Sequence, residues 1–331
     1  MSTLKGKVAL VTGGTSGLGR ATVQSLAEAG AQVVFTGRNE SGADETLRRL
    51  KALNLSARFL PQDVTKDEDW SRVMADVLAC EKKLDVLVNN SGVSRLKPMA
   101  DLTLEDLRFL TSVNVLGMFL GIKHAFTAMA HNQGQAGSII NISAMNALRG
   151  SPNSTAYALA KGGTTNLARA AAQEGRQHGR AIRVNAVHPG VLFEDGTKPS
   201  PGAIALYGEE GAKAFVRSNI ENTPMGRLGH PRDIGSTVVF LASDLSMQVT
   251  GVEFTVDGGR SAGEFATHHG GTFAKIVSTQ ERRDEKNNNA NSGGALRAEC
   301  KCTSTRCQSS KHVAALGDCH LQAGGVHRVL S

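Results

Sequence analysis

The chain has 331 residues, 40% of them hydrophobic and 4% aromatic, and 37 Lys and Arg against 30 Asp and Glu give a net charge of +7. This is the composition of a globular α/β protein with room for a large core, and it excludes a fibrous or wholly disordered chain. The basic excess forms no dense Lys/Arg stripe with interleaved aromatics, so a nucleic-acid partner is not expected. No apolar run approaches the ~18 residues of a membrane span, and no membrane association is expected. Behind Lys5 and Lys7 the apolar stretch covers only residues 8–11, too short for a secretory signal, so the expected location is cytoplasmic.

In chain order, the short β-rich run at 8–11 leads into Thr12-Gly13-x3-Gly17-Leu18-Gly19 and a helical stretch at 18–29. A glycine turn between a strand and a helix permits close approach of pyrophosphate to the N–H groups at a helix N-terminus. Gly13, Thr15, Ser16, Gly17, Leu18 and Gly19 are therefore candidate cofactor residues. A second run at 33–35 ends in Thr36-Gly37-Arg38. NAD readers present an acid here to the ribose 2′-hydroxyl, whereas Gly37 has no carboxylate and Arg38 offers a permanently charged planar fork for a 2′-phosphate. The expected cofactor is NADP(H), with Thr15, Ser16 and Asn39 placed to add hydrogen bonds.

Further helical stretches at about 44–53 and 67–80 flank a strand at 57–60, and a strand at 84–88 precedes a helix covering 104–119 and beyond. Strands at 138–142, 183–187 and 252–256 complete the series, with a helix bearing Tyr157 and Lys161 between the first two. Alternating β and α segments with continuously apolar strands predict a single doubly wound, Rossmann-type parallel sheet with helices on both faces. Cys80, on a helix with Val73, Val77 and Leu78, reads as a core residue. Tyr157 and Lys161 lie one helical turn apart and share a face. An ammonium beside a phenol favours the phenolate and lowers a pKa that starts near ~10, which suits proton exchange with a substrate oxygen.

Composition changes after about residue 263. The extension 264–331 is polar, lacks apolar periodicity and holds four of the five cysteines, so it reads as a disordered tail or as a by-product of coding-sequence assembly. Its Cys-x-Cys-x4-Cys-x11-Cys spacing does not match paired zinc ligands, and no metal is expected. The expected organisation is thus one domain over 1–263 and an extension over 264–331.

With Asp63-Val64, Asn89-Asn90-Ser91-Gly92, Asn114, the Tyr157/Lys161 pair, Asn185 through Gly190 and the closing Val256-Asp257-Gly258-Gly259, the chain resembles a short-chain dehydrogenase/reductase of the classical type, from residue 4 to about 259. The resemblance implies that Asp63 accepts from the adenine amino group with Val64 packed beside it, and that Asn89 and Gly92 line the adenosine ribose. It implies Tyr157 as acid/base, Lys161 on the nicotinamide ribose, and Asn114 holding a helix distortion and a water of the proton relay. Pro189, Gly190 and Val191 would wall the nicotinamide, and family members commonly form homotetramers or dimers.

Two departures stand out. The family's catalytic Ser, thirteen residues before the Tyr, is Ala144 here. Its neighbour Ser143 can replace it only if the strand end is bent, because adjacent strand residues face opposite ways. Loss of one such donor costs on the order of 10²–10³ in rate, which Asn146 or a hydroxyl on the substrate could offset in part. Glu194 stands where the family prefers Thr, with Thr197 three residues on, and 194–211 reads as a mobile lid. Leu96, Met145, Leu148, Leu192, Phe193 and Phe215 are candidates for an apolar pocket, and His188, His230 and His124 carry no functional signal. The expected activity is NADP(H)-dependent interconversion of a small ketone and a secondary alcohol. The alternative is a catalytically impaired NADP(H)-binding regulatory or interaction protein.

Overall fold

The computed structural model describes residues 3–130, 132, 136–175, 182–193 and 201–263. Among these, β1 (Val8–Thr12), β2 (Gln32–Gly37), β3 (Arg58–Pro61), β4 (Val86–Asn89), β5 (Ser138–Ile142), β6 (Arg183–Pro189) and β7 (Glu253–Val256) form one sheet. The strand order is β3-β2-β1-β4-β5-β6-β7 and every pair is parallel. The winding direction reverses where β1 pairs with β4, and in such sheets ligands bind outside the C-terminal strand ends at that reversal.

Both faces of the sheet are covered, so neighbouring strand residues enter different cores. Val8 and Leu10 pack with Trp70, Val73, Phe126 and Met129 beneath α3 (Asp67–Glu81), α5 (Gly117–Ala130) and α6 (Thr155–Glu174). Ala9 and Val11 pack with Val23, Leu26, Ile234 and Val238 of α1 (Gly17–Glu28) and α8 (Pro231–Ala242). A strand buried on both sides must be apolar throughout, which is why these runs lack polar alternation.

Several expectations need correction. Residues 104–130 form a continuous helical stretch of 27 residues, made of α4 (Leu104–Thr111), a π-helical turn at Ser112–Leu116 and α5, and it is long and apolar enough to cross a membrane. Its apolar character belongs to the core, since Met118, Leu120, Ile122, Ala125, Phe126 and Met129 pack against the sheet. The region read as a lid includes the start of α7 (Pro201–Glu221), whose helical path breaks at Gly208 with φ 70°. A further helix not among those expected, α8, follows, its start marked by Pro231 at the first turn and the His230/Asp233 capping box. Cys80 is exposed, because it lies on the outer side of α3 and not on the Val73/Val77 stripe. The expectations for 264–331, Glu194 and Thr197 fall outside the described residues.

Candidate active site

A cleft of about 1110 Å³ opens at the C-terminal strand ends and brings together the β1–α1 turn, the ends of β2, β4, β5 and β6, and the first turn of α6. The glycine turn fits a dinucleotide phosphate for steric reasons. A Cβ on Gly19 would lie 2.0 Å from the Gly13 carbonyl, so no side chain fits where α1 starts. At Gly17, with φ +47°, a Cβ would meet nothing within 4 Å, so the backbone there faces open cleft. Thr12 Oγ1 accepts from the N–H groups of both Asn90 and Ser91 at 3.0 Å, and Asn90 Nδ2 donates to the Thr12 carbonyl at 2.9 Å. These bonds lock the β1 and β4 ends together across the reversal point.

At the far end, Gly37, Arg38, Asp63 and Val64 line the cleft with Thr15 and Ser16. A Cβ on Gly37 would lie 2.7 Å from the Thr15 methyl, so an acid at 37 would have to displace buried Thr15. Arg38 is largely exposed, and its Nη1 lies 3.8 Å from Asp63 Oδ2. Asp63 Oδ1 is occupied by the Thr65 hydroxyl and N–H, which leaves Oδ2 for other partners. Val64 packs on Gly117, and its carbonyl accepts from Trp70 Nε1 at 2.9 Å. Asn39 is used locally, its side chain capping α2 (Glu40–Ala52) through the Gly42 N–H.

Asn89 requires a correction. It is the last residue of β4, is buried, and donates through Nδ2 to Asn141 Oδ1 at 2.9 Å instead of lining the cleft. Side chains alternate along a strand, so the cleft-facing amide is that of the next residue, Asn90.

At the chemical end, Tyr157 and Lys161 project from the first turns of α6 into the cleft with Gly92. Lys161 Nζ donates to the Ile142 carbonyl at 2.8 Å and lies 5.8 Å from the centre of the Tyr157 ring. Burial pushes the Tyr157 phenol up to about 12 and the Lys161 ammonium down to about 8. The phenol is thus raised and not lowered: its desolvation by burial is the governing effect, with the Lys161 ammonium 5.8 Å from the ring centre. Asn114 lies at the centre of the π-helical turn, fully buried. Its Nδ2 donates to the Val93 and Leu110 carbonyls at 2.9 Å, and its Oδ1 accepts from Val93 N–H at 3.1 Å. A Cβ on Gly92 would lie 2.8 Å from Asn114 Oδ1 and 3.3 Å from Lys161 Nζ, so this wall admits no side chain.

Ala144 is extended, nearly buried and faces the cleft. Ser143 does not replace the missing hydroxyl. Its Oγ donates to the Lys161 carbonyl at 3.0 Å and lies 3.2 Å from Thr165 Oγ1, so it is turned into α6. No bend turns it back, since Ser143 N–H still donates to Val187 as a strand residue does. His188, which carries no functional signal in the sequence, has its Nδ1 3.0 Å from the Ala144 carbonyl. A carbonyl can only accept, so Nδ1 carries the proton, and burial holds the imidazole below its ordinary pKa. His188 thereby fixes the backbone that presents Ala144. Only the fold joins these residues, so no sequence signal could have paired them.

Pro189, Gly190, Val191 and Leu192 wall the cleft opposite the glycine turn. Met145 also lines it, whereas Leu148 is exposed and Phe193 and Phe215 pack separately with Val216 and Leu228. Among the described residues no cluster of His, Cys, Asp or Glu could hold a metal ion.

Comparisons with known proteins agree with this geometry. A family model described as enoyl-(acyl carrier protein) reductase matches residues 13–261. An NADP-dependent (R)-specific alcohol dehydrogenase of Lentilactobacillus kefiri is 36% identical over 259 residues, covering 78% of this chain and 98% of the relative. A cyclopentanol dehydrogenase of Comamonas testosteroni is 33% identical, covering 79% of this chain and 100% of the relative. The crystal structure of a short-chain type dehydrogenase/reductase from Mycobacterium marinum superposes with a TM-score of 0.68 at 28% identity, covering 79% of this chain and 98% of that one. By its fold, its cleft and these relatives, the chain belongs to the short-chain dehydrogenase/reductase family of nicotinamide-dependent oxidoreductases.

Proposed function

We propose that the protein interconverts a ketone and a secondary alcohol with NADP(H) as its cofactor. The observation that carries this reading is the meeting of Tyr157 and Lys161 with the glycine turn and Arg38 in one cleft. The nicotinamide, when bound, supplies or takes up the hydride at the carbonyl carbon. Tyr157, neutral at physiological pH with its phenol pushed up to about 12, gives its proton to the carbonyl oxygen, which favours reduction. Lys161 brings a positive charge into the same cleft, 5.8 Å from the centre of the Tyr157 ring, and Asn114 holds the wall formed by Gly92 and Val93. The absence of an acid at 37 and the exposed Arg38 fork support the phosphorylated cofactor. A relative described as NADP-dependent supports it too.

The test is to follow loss of reduced nicotinamide absorbance with NADPH, and in parallel NADH, across a panel of linear and cyclic ketones. Turnover preferring NADPH is the expected result. Tight NADPH binding without turnover on any ketone would replace this reading with that of an NADP(H)-binding regulatory protein, which Ala144 favours. We also propose self-association through the groove of α4, α5 and α6, where Leu116 and Phe119 are exposed beside Val115 and Leu167.

A further inference from the structure

We infer that Asn146 reads a hydroxyl group carried by the substrate beside its reacting carbonyl, so that hydroxy ketones, and in reverse the corresponding diols, are the preferred substrates. This rests on the ketone and alcohol reading above. Ser154 fixes the orientation of the Asn146 amide. Ser154 Oγ is buried and donates its single proton to the Ser151 carbonyl at 2.7 Å. It can therefore only accept from Asn146, whose Nδ2 lies 3.1 Å away. The carboxamide is oriented by that contact, with Nδ2 toward Ser154 and Oδ1 as an acceptor that makes no hydrogen bond among the described residues.

Asn146 lines the cleft in the short turn Met145–Ala147, immediately after Ala144. The polar character of this wall is therefore inverted relative to one bearing a serine at 144. The hydroxyl donor is absent, Ser143 is bonded into α6, and the cleft is lined here by Asn146, whose Nδ2 is taken by Ser154 and whose amide oxygen has no partner among the described residues. A simple ketone has no proton for that acceptor and on binding leaves it dehydrated and unpaired, which is the situation in which a polar pocket discriminates most strongly. A hydroxyl on the neighbouring carbon donates to Oδ1, and its own oxygen can accept the second Nδ2 proton. The turn that positions this amide is held from behind by His188 on the Ala144 carbonyl and by the Ala147 and Leu148 N–H bonds to Ala144 and Met145.

The experiment compares kcat/KM for 2-hydroxycyclohexanone and cyclohexanone with NADPH and with NADH, in the full-length protein and in Asn146→Ala and Ser154→Ala. NADPH affinity is measured on each variant as the check on folding. The ratio of the two substrates is the readout, so the greater intrinsic reactivity of the hydroxy ketone cancels between variants. Loss of one such hydrogen bond is expected to lower the ratio about tenfold in Asn146→Ala. Ser154→Ala, which frees the amide without removing it, is expected to lower the ratio by a smaller factor. A ratio in Asn146→Ala equal to that of the unmodified protein overturns the inference while leaving the reductase reading intact. Failure of both ketones with both cofactors overturns the reductase reading and the inference with it.

Discussion

Lys161 Nζ donates to the Ile142 carbonyl at 2.8 Å, so a buried ammonium is held against the last residue of β5. Its pKa falls from 10.5 to about 8, which corresponds to about 3 kcal/mol of differential stability. Between those pH values the unfolded chain holds the proton and the folded protein does not. The group therefore destabilises the fold below pH 8, and that cost is relieved as pH rises through 8 to 10.5. Measured against Lys161→Met by chemical denaturation at pH 7 and pH 10, the unmodified protein is expected to gain stability relative to the variant at the higher pH. No relative gain would mean the ammonium is better solvated than its position implies.

The same ammonium predicts a pH dependence of turnover. Ketone reduction is expected to decline as pH rises past about 8, where Lys161 loses its charge, while the Tyr157 phenol stays protonated to about 12. A pH–rate profile for kcat that stays flat to pH 10 would remove Lys161 charge from the chemical step.

Tyr157→Phe deletes one hydroxyl and keeps the ring under Lys161. Removal of a general acid is expected to lower kcat by roughly 10²–10⁴ with NADPH affinity changed little. Retained turnover would assign the proton to another group.

Arg38→Ala removes the exposed fork that pairs with Asp63. Affinity for NADPH is expected to fall by on the order of tenfold or more while that for NADH changes little, as read by fluorescence titration. Gly37→Asp alone is not expected to create a good NAD site, because the Thr15 methyl occupies the space 2.7 Å from the new Cβ. Equal losses for both cofactors in Arg38→Ala would remove the 2′-phosphate assignment.

Ala144→Ser restores a hydroxyl on an extended, cleft-facing backbone that His188 already holds. A rise in kcat on simple ketones is expected, within the ~10²–10³ that one such donor is worth. An unchanged rate would mean that the substrate oxygen already has its second donor.

Much of this arrangement was legible in the chain because it depends on local patterns. Short apolar runs marked the strands, most plainly at the centre of the sheet, where β1 and β4 are buried on both faces and have no polar side to alternate, while the edge strands β3 and β7 are only partly buried. The glycines at 13, 17 and 19 and the spacing of Tyr157 and Lys161 marked the two ends of the cleft for the same reason. Asn89 was misread because alternation, not motif membership, decides which amide of a pair faces the cleft. Cys80 was misread because a helix position one step off the buried stripe looks identical in composition.

What the sequence alone determined was the succession of seven strands with the helices between the first six, the phosphate-binding turn and the missing hydroxyl at 144. What only the tertiary structure decided was where groups distant in the chain meet. It set His188 against the Ala144 carbonyl, Ser143 against α6, Thr15 against Gly37, and Lys161 over the Tyr157 ring. The physical reason is that periodicity and turn chemistry act over a few residues, whereas desolvation and hydrogen-bond partnership depend on packing between segments. That is why the Tyr157 phenol, expected to be lowered by its neighbour, is instead raised by its burial.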